Sequence, residues 1–210
     1  MPRVIRLLLV VLLVANARPT LLLGQSESLS ETQRTTFTSK SHALQAELDQ
    51  RPDRGSTAWA DAAIFAKGLA WALKYDREFS PAHIQLLERA ATRTEERLQA
   101  LTAGTASWHN HRGKLALGYV SQVDGSVQPY GVIIPGNYDP DKPIRLDVVL
   151  HGSQRPVGMS ELKFIARFDV GDVENASAPD QSFIELHPLG RVENCYRWSG
   201  ETDVFEAVED

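Results

Sequence analysis

The chain has 210 residues, 42% of them hydrophobic, with 22 Lys and Arg against 27 Asp and Glu for a formal charge of −5. That is enough apolar material for one moderate core or two small ones, which excludes a disordered chain. No block of Lys or Arg occurs, so a nucleic-acid or anionic-membrane surface is excluded as well, because phosphate binding needs clustered cations.

Arg3 and Arg6 precede the apolar run 7–14, and Ala15-Asn16-Ala17 follows with a small-x-small pattern. This predicts an export signal over residues 1–24, cleaved after Ala17 or near Gly24, and a secreted or periplasmic mature chain. An uncleaved span over residues 4–23 is the alternative. Asn16, Arg18 and Pro19 interrupt it, so no stable membrane span is expected. Cys195 is the sole cysteine, so no intramolecular disulfide can staple an exported fold.

Residues 25–34 are Ser-, Glu- and Thr-rich and aperiodic, which predicts a solvated tether. A helical module is expected over 35–104. Phe37, Ser41, Leu44 and Leu48 have helical spacing, and a Pro-Asp-Arg-Gly stretch at 52–55 ends that helix. Trp59, Ala62, Ala63, Ala66, Leu69, Ala70 and Leu73 form a second stripe, rich in small residues that let a neighbour approach. Ser80 as N-cap and Pro81 at the first helical position start a third helix through Ile84, Leu87, Ala91 and Leu98, ending near Gly104. Trp59, Trp71 and Tyr75 could stack a ligand, but aromatics on an apolar stripe are expected in the core.

From residue 105 the period becomes two. Leu115, Leu117 and Tyr119 alternate with small or polar residues, Asp124-Gly125 supplies a turn, and residues 127–134 return as a partner strand. After a Pro- and Asp-rich loop, Leu146-Asp147-Val148-Val149-Leu150 predicts a strand buried on both faces that delivers the chain into His151-Gly152-Ser153. A helix over 158–168, a strand from Phe183 to His187-Pro188 and a helix over 200–210 complete an α/β pattern.

A loop amide after a strand-end glycine can point at the oxygen that becomes negative in acyl transfer. His109 and His111 lie beside Trp108 without a third ligand, so no metal is expected, and no cofactor is implied. Asn175-Ala176-Ser177 is a formal glycosylation sequon. Glu95-Glu96 reads as solvated charge on the third helix.

The hairpin residues Gly118-Tyr119-Val120 and Asp124 to Val132, the segments Ile134-Pro135 and Asn137-Tyr138-Asp139, the junction Leu150-His151-Gly152-Ser153 and the stretch from Asn194 to Glu206 together resemble secreted α/β-hydrolases of the prolyl-oligopeptidase-like and polyhydroxybutyrate-depolymerase-like esterase group. The resemblance covers about the last 95 residues. It implies an incomplete α/β-hydrolase sheet over residues 105–210, an antiparallel hairpin plus parallel strands, preceded by the three-helix module. It implies a nucleophile on Gly-x-Ser-x-Gly, then an Asp and a His, and none of these can be assigned within the 210 residues. What carries over is the backbone of Gly152 and Ser153 as part of an oxyanion hole. His151 belongs to that loop, and His187, Arg191 and Trp198, after strand ends, could line a pocket.

The expected function is therefore the amino-terminal portion of an exported serine esterase or peptidase, inactive as written, taking an ester or peptide substrate only if a carboxyl-terminal half completes it. The alternative is a non-catalytic exported binding or interaction protein. In the resembled family the strand ending at His151 lies inside the sheet beside the nucleophile strand, so without that neighbour self-association through an exposed edge is expected.

Overall fold

The computed structural model describes residues 28–152, 158–172, 178–192 and 196–210. The expected signal segment, Ser153, Cys195 and the sequon at Asn175 lie outside them.

Three long helices come first: α1 (Glu31–Asp49), α2 (Thr57–Tyr75) and α3 (Pro81–Ala103). The first begins inside the segment expected to be a tether. Ser30 accepts the Gln33 N–H while the Gln33 side chain returns to the Ser30 N–H, so a capping box satisfies donors that a disordered tether would leave to water. The α3 start is as the sequence predicts, with Ser80 as N-cap and Pro81 in the first turn, and Gly104 closes it in the left-handed region at φ 66°.

The sheet has four strands in the order β1-β2-β4-β3: β1 (Gly113–Val120), β2 (Val127–Ile134), β3 (Arg145–Val148) and β4 (Phe183–Pro188). β2 runs antiparallel to β1 and β4, and β3 runs parallel to β4. The short helix α4 (Met159–Ile165) connects β3 to β4, and α5 (Ser199–Glu209) follows β4. The fold is α/β with a mixed sheet covered by helices on both faces.

Alternation along the strands sorts the two faces. Ala116 and Val127 join one core with α1 to α4, whereas Leu115, Leu117, Tyr119, Tyr130, Val132 and Leu186 form a second with Trp108 and Ala207 of α5. The helical module is thus packed on the sheet and shares its core. Close approach depends on two glycines. A Cβ at Gly118 would collide with Ile64 and stand 2.9 Å from the Ala60 carbonyl oxygen of α2, and one at Gly131 would enter the Phe168 ring. α2 is buried almost all round, between α1 and α3 on one side and the sheet on the other.

β3 differs from expectation. Its apolar run suggests burial on both faces, yet β3 is the last strand of the sheet, and Leu146, Val148, Val149 and Leu150 are exposed. Leu146 and Val148 stand in register with Ile184 and Leu186, while α5 packs over β4 and β1. A continuous apolar strand reports a surface able to be covered, and here no described element covers it. The aromatic expectation also divides: Trp59 is in the core, but Trp71 and Tyr75 are 45% and 57% exposed, in an edge-on pair 5.7 Å apart with Lys67 and Lys74 over their faces.

Candidate functional site: the His151-Gly152 bend

The bend leaves the carboxyl end of β3 and is tied down from β4 and from the segment before α5. Val149 N–H donates to Leu186 O at 2.8 Å, holding the end of β3 against β4. The His151 N–H then donates to Tyr196 Oη at 3.0 Å, and the Tyr196 hydroxyl donates to Pro188 O at 3.1 Å. His151 Nε2 lies 2.7 Å from Leu189 O, and Nδ1 lies 2.7 Å from Gly152 O. Both contacts are to carbonyls, which only accept, so a neutral ring donates to one of them. The imidazole packs edge-on against Tyr196, ring centres 5.3 Å apart.

These contacts make His151 a clasp between strand ends. Its backbone N–H is committed to Tyr196, and its ring to loop carbonyls. Gly152 differs: it is exposed, and among the described residues no atom beyond its chain neighbours lies within 4 Å of where a Cβ would be. Ser153, whose amide is the expected donor, is outside the described residues.

The remaining expected residues do not converge on this point. His187 is within β4, where its Nε2 meets Glu185 Oε2 at 3.0 Å and its ring lies 4.9 Å from Phe168. A chain of tilted ring contacts, Phe168 to Phe164 and Phe164 to His151, connects it to His151. Arg191 is spent elsewhere. Its Nε meets both oxygens of buried Asp203 at 3.1 and 3.2 Å, Nη1 meets Asp124 Oδ2 at 2.5 Å, and Nη2 donates to Ser121 Oγ at 2.9 Å. It ties the loop after β4 to α5 and to the β1–β2 turn. The Arg191 hydrogen bond holds the Asp124 carboxyl far below the usual range, whereas burial pushes Asp203 up despite the same guanidinium. Trp198 is 77% exposed with φ 50°, and its carbonyl accepts from the Glu201 and Thr202 amides in the first turn of α5.

Three polar networks were not legible from spacing. Asp61, fully buried in α2, accepts from Gly118 N–H at 2.7 Å, Trp108 Nε1 at 2.8 Å and His109 Nε2 at 2.6 Å. The Asp61 hydrogen bond raises the His109 pKa above its ordinary 6.5 against the opposing effect of burial. On α3, Arg89, Arg93 and Arg97 pair with Asp169 and Asp172 in the segment after α4, and Arg97 lies over the rings of Phe65 and Trp108. Lys67 meets buried Glu161 at 3.2 Å, and burial raises the Glu161 pKa. The arginine spacing of four gave a signal for a shared helix face; the partners, some 75 residues away, gave none.

A polar cavity of about 320 Å³, lined by Thr57, Tyr119, Gln122, Glu206, Glu209 and Asp210 among others, lies at the β1 side, across the sheet from β3. Among the described residues no three His, Cys, Asp or Glu are grouped to hold a metal ion, and no helix is long and apolar enough to cross a membrane. Comparisons with protein-family models, curated proteins and solved structures find no match to this chain.

Proposed function

We propose that this chain is the scaffold portion of an exported serine hydrolase, an esterase or peptidase, in which the bend at Gly152 and Ser153 supplies one side of an oxyanion hole. The observation that carries the reading is the exposed Gly152 bend at the carboxyl end of a parallel strand whose outer edge no described strand pairs. That is where the resembled hydrolases seat the nucleophile strand, and the order hairpin, β3, bend, α4, β4, α5 agrees with the same family. Tyr196 and Leu189 support the bend as a rigid frame should, so that the donor costs no reorganisation when charge develops. Because the 210 residues hold no Gly-x-Ser-x-Gly, the attacking hydroxyl comes from elsewhere, and the chain by itself turns over no ester or peptide.

A fluorophosphonate probe tests this. The expected result is no serine of residues 1–210 modified, whereas stoichiometric labelling of one serine in this chain overturns the reading. Export rests on Arg3, Arg6 and the apolar run 7–14; a reporter fused behind residue 24 is expected outside the cytoplasm. The non-catalytic alternative, an exported interaction protein, draws on the same edge of β3, which no described strand pairs and which can serve binding without any chemistry.

A further inference from the structure

We infer that β3 pairs with β3 of a second copy of this chain, antiparallel about a two-fold axis through Leu146, to make one sheet continuous across the dimer. The inference does not depend on the hydrolase reading, and a strand supplied from elsewhere would compete for the same edge.

The backbone sets the geometry. Val149 donates to Leu186 of β4, so odd-numbered residues of this stretch turn their backbone groups toward β4. Ile144, Leu146 and Val148 therefore turn theirs to the open side, where no described strand receives them. Arg145-Leu146-Asp147-Val148 contains no proline, lysine or glycine to break pairing, and its two charges are of opposite sign. Leu146 is 42% exposed on the face that carries Ile184 and Leu186, so pairing extends an apolar row already begun by β4.

Charge chooses the register. Arg145 and Asp147 lie on the other face of β3 and bridge each other at 2.8 Å, Arg145 mostly exposed and Asp147 partly so. With the axis through Leu146, each Arg145 stands opposite the second copy's Asp147 in a non-hydrogen-bonded pair, the kind in which opposing side chains come closest. The four charges then alternate in sign around the axis. Leu146 faces Leu146 in a hydrogen-bonded pair, and Ile144 faces Val148, so every outward backbone group of that stretch finds a partner. With the axis through Asp147, two carboxylates would stand opposite each other. With the axis through Val148, Arg145 would face His151 and Asp147 would face Val149, leaving neither charge compensated. Two copies sharing one edge form a closed, isologous pair that adds no further copies.

The full chain is the test. Light scattering across a concentration series is expected to show a reversible monomer–dimer equilibrium, weakened at least tenfold by Arg145→Glu and restored when Asp147→Arg is added to it. In a Cys195→Ala background, Leu146→Cys is expected to link to itself with a short thiol cross-linker. Leu150→Cys is expected not to, because its counterpart sits eight residues along, about 27 Å away. Circular dichroism of each variant distinguishes lost pairing from lost folding. A monomer at all concentrations, a dimer indifferent to both charge changes, or cross-linking at residue 148 or 150 in place of 146 overturns the inference. Failure here leaves the probe-labelling result, and so the hydrolase reading, untouched.

Discussion

Replacing Asp61 by Asn probes the polar hub that joins α2 to β1 and to the Trp108 turn. The carboxylate accepts three hydrogen bonds, one on Oδ1 from Gly118 and two on Oδ2 from Trp108 and His109, with its side chain at 0% exposure. An amide accepts only through its single oxygen. Turned toward Trp108 and His109, it sets its NH2 against the Gly118 N–H and orphans a buried donor, at a cost of about 1–3 kcal/mol, and the remaining bonds lose their charge assistance, about 1 kcal/mol more. Turned the other way, it orphans two donors and costs more. The expected loss is therefore about 3 kcal/mol for Asp61→Asn, larger for Asp61→Ala, which abandons all three donors. Urea unfolding at pH 6, followed by circular dichroism and tryptophan fluorescence, measures it. A loss below about 1 kcal/mol for Asp61→Asn, or Asn no better than Ala, would show that water reaches these donors and that the hub is not a closed network.

Three further outcomes are expected. The raised pKa of His109 means that its stabilising pairing with Asp61 is fully present below the ordinary 6.5 and is lost as pH rises through the higher folded-state value. Unfolding free energy should fall over that window, and His109→Gln should flatten the profile; an identical slope in both proteins would remove His109 as the cause. Arg191→Met leaves the buried Asp203 carboxylate without its cation and should cost about 3 kcal/mol, read as a drop in Tm, while the Asp124 carboxyl titrates closer to the ordinary range by NMR. Tyr196→Phe removes the acceptor for the His151 N–H and the donor to Pro188 O. Amide exchange at His151 should quicken about tenfold, matching about 1.4 kcal/mol; unchanged protection would mean the bend is held without the hydroxyl.

Helix positions were legible because their signals are local. The set Phe37, Ser41, Leu44 and Leu48 is the buried face of α1, and Ser80-Pro81 and Gly104 bound α3, since spacing and caps depend only on residues a turn apart. The hairpin and the final helix follow the same logic. Ser30 as a cap was missed because the residues around it are polar and aperiodic, although Ser30 and Gln33 three apart carry the capping pattern. At the site, sequence located the bend and the strand that ends in it. It did not indicate Tyr196 as the partner that holds the His151 clasp, or that Arg191 is drawn away by Asp124 and Asp203. Those pairings join residues 12 to 67 positions apart, and an ion pair leaves no periodic trace in the chain.

β3 shows where the two kinds of information part. Apolar composition states how much surface a strand can bury, which sequence gives directly; which neighbour buries it is a matter of sheet order, decided here by β2 and β3 taking opposite sides of β4. The alternation of Arg145 and Asp147 between Ile144, Leu146 and Val148 carries a further distinction. A strand enclosed on both faces gains nothing from a charge pair on one of them and pays its desolvation. A strand that meets a copy of itself gains a register from that same pair, because only one placement of the axis sets opposite charges together. The polar residues that weaken the case for β3 as an interior strand are therefore the ones that specify its pairing, and reversing their order along the strand should preserve the dimer while reversing either one alone should not.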